Sequence, residues 1–337
     1  MEVVNQSHFT VGRFVTTDSH GRETMLLVVK ATYDLSSIQA GHPALAAEQD
    51  PLVLADRYHG EPGSSSIAYA SDCAPFKPAT DVALIAHAYP ATRGATQVDV
   101  SLRVGPLNKT VRVYGDRFWQ MGPPGLKPSR PAPIQRVPMV WERAFGGADD
   151  SGGKPEWCAE NPCGVSFCGR SSTKNFHTTP LPNLEDPRQP LQKPAADGRP
   201  VAFGFVAPHW MPRAGFAGTY DDAWMQQRMP LLPLDFDPRF HHTVPADQVL
   251  PGYLRGGEEV CVEGATGSGR LSFRVPAHRP MASVLIDDAE ETPTLNGDTL
   301  IVDADRMRAN VVWRGLLDIH TRIDDVERIW FDRSDRA

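Results

Sequence analysis

Val98-Asp-Val-Ser-Leu-Arg-Val104, Gly105-Pro-Leu-Asn-Lys109 and Thr110-Val-Arg-Val-Tyr114 run on without a break, and they decide the fold class. In the first segment apolar residues alternate strictly with polar ones. A period of two gives a strand with one buried and one wet face. The middle segment has the composition of a turn and the third resumes the alternation, so the three read as a β-hairpin. Upstream, Val82–Tyr89 reads as a buried strand. So does the apolar, β-branched run Met25–Asp34, which follows the turn-like Asp18-Ser-His-Gly21. Downstream, strands are expected at Arg270–Val275, Ser283–Ile286, Thr299–Val302, Asn310–Trp313 and Val326–Phe331, with Leu295-Asn-Gly-Asp298 as a hairpin turn before the third. Strands do not alternate with long helices, which excludes a doubly wound α/β fold. The expectation is a mainly β protein with minor α content. Antiparallel sheets should pack as sandwich or barrel-like lobes around a long irregular central segment.

That segment begins at Gly146, where Pro, Gly, Asn and Ser recur every few residues up to about Pro230. Irregular stretches of this length are uncommon in compact domains and point to function or partner contact. One short helix is expected at Thr219–Arg228, capped by Thr219 and stopped by Pro230. The chain reads as one unit over 1–337, with possible lobes at 1–147 and 231–337 and a Pro/Gly-rich insert at 148–230.

The 337 residues carry 31 Pro and 28 Gly, 41% hydrophobic and 22% charged residues and a net charge of −7. This is a soluble, turn-rich composition rather than a disordered one. An acidic balance argues against nucleic acid or an anionic membrane as main partner. No signal-peptide pattern opens the sequence and no run is apolar enough to span a bilayer, so a cytoplasmic location is expected. The five Cys are then read as thiols.

Several constellations could carry chemistry. His59, one of Ser64, Ser65, Ser66 and Ser71, Asp72 and Lys77 could form a hydrolase site if the fold brought them together. The alternative is a loop whose Ser and Asp satisfy its own backbone, with Lys77 paired to Asp81 or Asp72. Cys158, Cys163, Cys168 and His177 would supply a zinc ligand count, but at unusual spacing. Three unrelated small residues in a glycine-rich loop is the plainer reading, so no metal or other cofactor is expected. His241 and His242 beside Asp235 and Asp237 read as a turn-rich edge, because adjacent side chains of an extended segment point to opposite faces. Gly264–Arg270 lacks the Lys-Ser/Thr ending of a nucleotide loop and reads as a hairpin loop.

Tyr58-His-Gly-Glu-Pro-Gly63 (with His59 and Gly60), Ser71-Asp72 and Ala74-Pro-Phe-Lys-Pro-Ala-Thr-Asp-Val82 (Phe76, Lys77, Pro78, Thr80, Asp81) together resemble the domain-of-unknown-function 2169 family. Gly115-Asp116-Arg117, Glu142-Arg143-Ala-Phe145-Gly146-Gly147, Val28–Asp34 and Asn161-Pro162 are similar as well. Genes of that family stand beside bacterial type VI secretion effectors. The resemblance implies a non-enzymatic adaptor or chaperone that binds an effector or its PAAR-like module and helps load it onto the secretion spike. Its partners would be proteins, with neither nucleic acid nor membrane. A hydrolase using the His59 region and a structural component of the secretion apparatus are the two alternatives. A binding module needs exposed anchors, and the middle segment offers Trp157, Phe167, Phe176, Phe203, Phe205, Trp210, Phe216, Tyr220 and Trp224. Cys163 and Cys168 depart from the family pattern, which implies no general role for the cysteines.

Overall fold

The computed structural model describes residues 1–123, 125–320 and 322–334. Its centre is a mixed sheet ordered Val249–Leu250, Thr80–Ile85, Asn296–Asp303, Arg308–Asp318, Glu23–Gln39 and Thr10–Thr17. All neighbours are antiparallel except Thr80–Ile85 and Asn296–Asp303, which run parallel with Asp81 opposite Thr299. Met25 to Tyr33 is buried at every residue. That is why this strand reads as a continuous apolar run instead of alternating.

The hairpin stretch forms as expected, as Gln97–Val104 against Leu107–Tyr114, with Val104 opposite Leu107. The turn is tighter than the sequence suggested. Only Gly105 and Pro106 lie outside the strands, so Lys109 sits in the ladder and faces inward. This pair extends into a five-stranded antiparallel sheet ordered Leu184–Glu185, Leu107–Tyr114, Gln97–Val104, Glu259–Glu263 and Arg270–Arg274. A third sheet joins Glu2–Asn5, Val326–Ser334, Arg279–Ile286 and Ala289–Glu291. The three major sheets stay open rather than closing as barrels. One apolar core touches all three, with Leu27 and Val82, Val100 and Val111, and Val284 and Phe331 in the same cluster.

Two local expectations are corrected. Leu295–Asp298 is no hairpin turn: Asn296 opens a long strand, and the ladder shifts register between Gly297 and Thr299. The reversals lie on either side, at Asp287-Asp288 and at Ala304–Met307. The helix is Asp222–Gln227, and its cap is Asp221, whose carboxylate accepts from the Trp224 N–H at 2.8 Å. An aspartate there satisfies an orphan amide and suits the positive helix end. Between residues 146 and 230 the chain forms two-residue ribbons, single turns and this helix, and otherwise runs irregularly. Among the described residues, no helix is long and apolar enough to cross a membrane.

Candidate functional site

The Phe76-Lys-Pro-Ala-Thr-Asp81 string leads into the central sheet, and its polar residues turn inward. Lys77 is buried and donates from Nζ to Asp81 Oδ2 at 2.6 Å. The same oxygen accepts from the Thr243 amide (2.7 Å) and hydroxyl (2.9 Å), while His242 Nδ1 lies 2.6 Å from Oδ1. Burial works to raise the Asp81 carboxyl, but the Lys77 charge and the bonds from His242 and Lys77 outweigh it. They hold the group well below the usual carboxylate range. Burial pushes the Lys77 ammonium down, against the pull of Asp81. Thr80 Oγ1 sits 2.9 Å from Gly252 O and 3.0 Å from Gly297 O. Tyr253 donates to the Lys77 carbonyl at 2.9 Å. The string therefore ties one strand to two loops.

Asp72 is equally committed. Its Oδ2 accepts from Lys30 Nζ and from the Val53 amide, both at 2.9 Å, and Arg314 donates to its carbonyl at 2.9 Å while also pairing with Asp298. His59 is exposed. The nearby hydroxyls are used elsewhere: Ser64 and Ser65 donate to Glu61 O, Ser66 to Glu142 and Ser71 to Leu54 O. His59, a serine, Asp72 and Lys77 do not meet as a catalytic set. Gly60 donates to Ser65 Oγ, Phe76 leans on His241 with centroids 5.1 Å apart, and Pro78 is exposed.

The other family-like residues join the irregular segment to the sheets. A Cβ on Gly115 would lie 1.8 Å from Ala132 O, so no larger residue fits. Asp116 and Arg143 meet at 3.3 Å, and both bond Asn183. Arg117 is buried against Glu185 at 2.6 Å. Glu142 accepts from the Ser66 amide and hydroxyl at 2.7 and 2.8 Å. Asn161 Nδ2 donates to Trp141 O (2.9 Å) and Phe145 O (2.8 Å), and its carbonyl accepts from the Gly147 amide. Gly146 packs on Asn161, with its would-be Cβ 2.2 Å from the Asn161 carbonyl.

The cysteines separate. Cys158 packs with Phe145 and Phe167, Cys168 lies beside the Trp119 cluster, and Cys163 bonds Asn161 Oδ1 at 3.3 Å. Burial pushes the Cys163 thiol up to about 12. His177 is exposed. Among the described residues, no three His, Cys, Asp or Glu side chains are placed to hold a metal ion.

Exposed apolar residues are concentrated in another stretch of the chain. Met211, Tyr220, Met225, Met229, Leu232 and Leu234 all stand out of the surface between residues 211 and 234, Leu234 most of all at 87%. Residues 219–235 form a loop closed at its neck. Asp235 accepts from the Thr219 amide at 3.0 Å and hydroxyl at 2.8 Å, which is the work Thr219 does instead of capping the helix. Inside the loop, Trp224 stacks edge-on with Tyr220 at 4.7 Å and donates to Leu231 O at 2.8 Å. Compact surface loops with such joined ends are frequently functional. Of the aromatic anchors expected from sequence, only Trp157 and Tyr220 are exposed. Phe216 and Trp224 are half-buried, and Phe167, Phe176, Phe203, Phe205 and Trp210 belong to the core. The exposed methionines fall outside that aromatic set. The close run of Met225, Met229, Leu232 and Leu234 was the signal available.

A family profile described as an uncharacterized protein conserved in bacteria (DUF2169) matches residues 20–314. No curated protein and no solved structure matches the chain.

Proposed function

The chain belongs to the DUF2169 family of bacterial proteins, and from that premise we propose that it is a non-enzymatic adaptor that binds a type VI secretion effector, or its PAAR-like module, and delivers it to the secretion spike. The observation that carries the reading is the closed 219–235 loop, which holds Tyr220, Met225, Met229 and Leu234 out of the surface. Exposed apolar clusters mark interaction sites, and methionine suits a surface that must adapt to a partner. Asp72 and Lys77, two of the residues that invited a catalytic reading, are spent on buried ion pairs with Lys30 and Asp81. Their commitment to these pairs supports binding over hydrolysis as the role of this region.

The test compares tagged wild type with Met225→Asp/Met229→Asp/Leu234→Asp in native cells, with mass spectrometry of the co-eluting proteins. Wild type is expected to recover a toxin-like or PAAR-containing protein, and the triple variant to lose it. The substituted side chains are exposed, so stability should shift by no more than about 0.5 kcal/mol per site. If wild type elutes alone while the effector is expressed, the adaptor reading fails. A symmetric assembly of the bait with itself would favour a structural component instead.

A further inference from the structure

Outside the 219–235 loop, close to its neck, a cavity of about 260 Å³ opens beside His242, the partner of Asp81. Its wall is apolar, formed by Val206, Phe216, Val244 and Val249 among others, and three cationic or hydrogen-bonding side chains reach it: Arg213, Arg239 and His242. No carboxylate lines it among the described residues. Each of the three is held from behind. Arg213 donates from Nε to Phe240 O (2.9 Å) and from Nη1 to Val206 O (2.8 Å), which leaves Nη2 uncommitted. Arg239 uses Nε and Nη2 on Asp237 and lies over the Phe216 ring, leaving Nη1. His242 is fixed through Nδ1 by Asp81, so its Nε2 edge is the one that remains for the cavity. The buried Lys77–Asp81 pair thus orients one imidazole towards an apolar well. An apolar body with a few placed polar groups is the usual make-up of a small-ligand site, and guanidinium groups suit planar carboxylates.

We infer that this cavity binds an apolar monocarboxylate, with the hydrocarbon part against Val206, Phe216, Val244 and Val249 and the carboxylate held by Arg213 and His242. Arg239 contributes less, since Asp237 already neutralises most of it. The volume matches one aromatic or branched side chain, so the ligand is either a small free acid or the carboxyl end of a peptide with an apolar last residue.

Calorimetric titration of the full-length protein with hydrocinnamate and with its primary amide tests the charge requirement. A tetrapeptide ending in Phe, with free or amidated C-terminus, distinguishes the two sources. Hydrocinnamate should bind at least about tenfold more tightly than its amide. Ala246 lines the cavity and is exposed, so Ala246→Trp should plug the mouth without disturbing the core. That variant should weaken binding by a similar factor while its unfolding midpoint stays at the wild-type value. Arg213→Gln should do likewise, but it also loses two backbone bonds, which is why the plugging variant decides. A free-ended peptide that binds more tightly than hydrocinnamate assigns the site to chain termini, and the reverse order assigns it to free acids. Equal binding of acid and amide, undiminished binding to Ala246→Trp, or no binding of either acid overturns the inference.

Discussion

Lys77 and Asp81 show what a buried pair does for this fold. Taking two charges out of water costs several kcal/mol each, and their attraction offsets that only when further bonds satisfy the remaining atoms. Asp81 has them from Thr243 and His242, so the pair fixes where the 241–253 segment lies rather than adding much net stability. His241 meets the opposite fate one residue away. It is packed among Phe76, Phe236 and Phe240, and burial, helped by Arg213 and Lys77, pushes its pKa from 6.5 to about 4. A histidine held neutral in the fold but free to protonate when unfolded stabilises the native state above pH 6.5. That contribution drains away as the pH falls from 6.5 towards about 4, because the unfolded chain takes up a proton that the folded one refuses. At the low end the loss should be on the order of 2 kcal/mol. Urea unfolding of wild type and His241→Gln at pH 7.5, 6, 5 and 4.5 would show it. Wild type should lose stability more steeply across this range, and parallel curves would contradict the assignment.

Elements differ in how much of them a sequence reveals. The hairpin at residues 97–114 was legible because a strict period of two has one structural meaning, and the buried strand over Met25–Tyr33 because nine successive residues are either apolar or, like Lys30 and Thr32, flanked by apolar ones. Lys109 was not legible on the inner face. Its partners Asp247 and Gln248, at 2.8 and 2.7 Å, come from more than a hundred residues downstream. Asn161 was invisible as a bracket for the same reason, since its bonds reach Trp141 and Phe145 through a fold-back that local pattern does not encode. Asn-Gly at 296–297 misled because a good turn dipeptide can also start a strand at a register shift. The real turn at Asp287-Asp288 lacks glycine, yet both residues take positive φ, 50° and 61°. Two consecutive left-handed residues are the pattern of the tightest hairpin turns, where Asn-Gly is preferred. Both aspartates are exposed. Asp287→Asn/Asp288→Gly should therefore raise stability by roughly 0.5–1 kcal/mol without changing the fold. A denaturation midpoint that stays put or falls would show that the turn carries no such strain.

At the scale of the whole molecule, the order of strands in space ignores their order in sequence. Thr80–Ile85 lies between Val249–Leu250 and Asn296–Asp303, and Glu23–Gln39 lies against Arg308–Asp318 along eleven paired residues. The apolar core likewise draws on Phe9 at one end and Phe331 at the other. The irregular segment lies across this framework and is held by Asn161 and Arg117–Glu185, while its 219–235 loop rests on the Ser19–Gly21 turn, where Arg228 donates to the Ser19 carbonyl and Leu231 packs on Gly21. A chain whose first third is completed only by its last third gains little from folding in pieces, because each piece exposes unpaired strand edges and half a core. Residues 1–147 expressed alone should then remain unfolded or aggregate. Thr80–Ile85 would lose the neighbours on both its sides, and Glu23–Gln39 would keep only Thr10–Thr17 and His42–Leu45. Far-UV circular dichroism across a urea gradient and the dispersion of the amide NMR spectrum give the answer. A cooperative transition with a dispersed spectrum would mean that the N-terminal strands carry a core of their own. A non-cooperative slope, reversed when residues 148–337 are restored, would mean that strand pairing across the ends of the chain is what makes the fold.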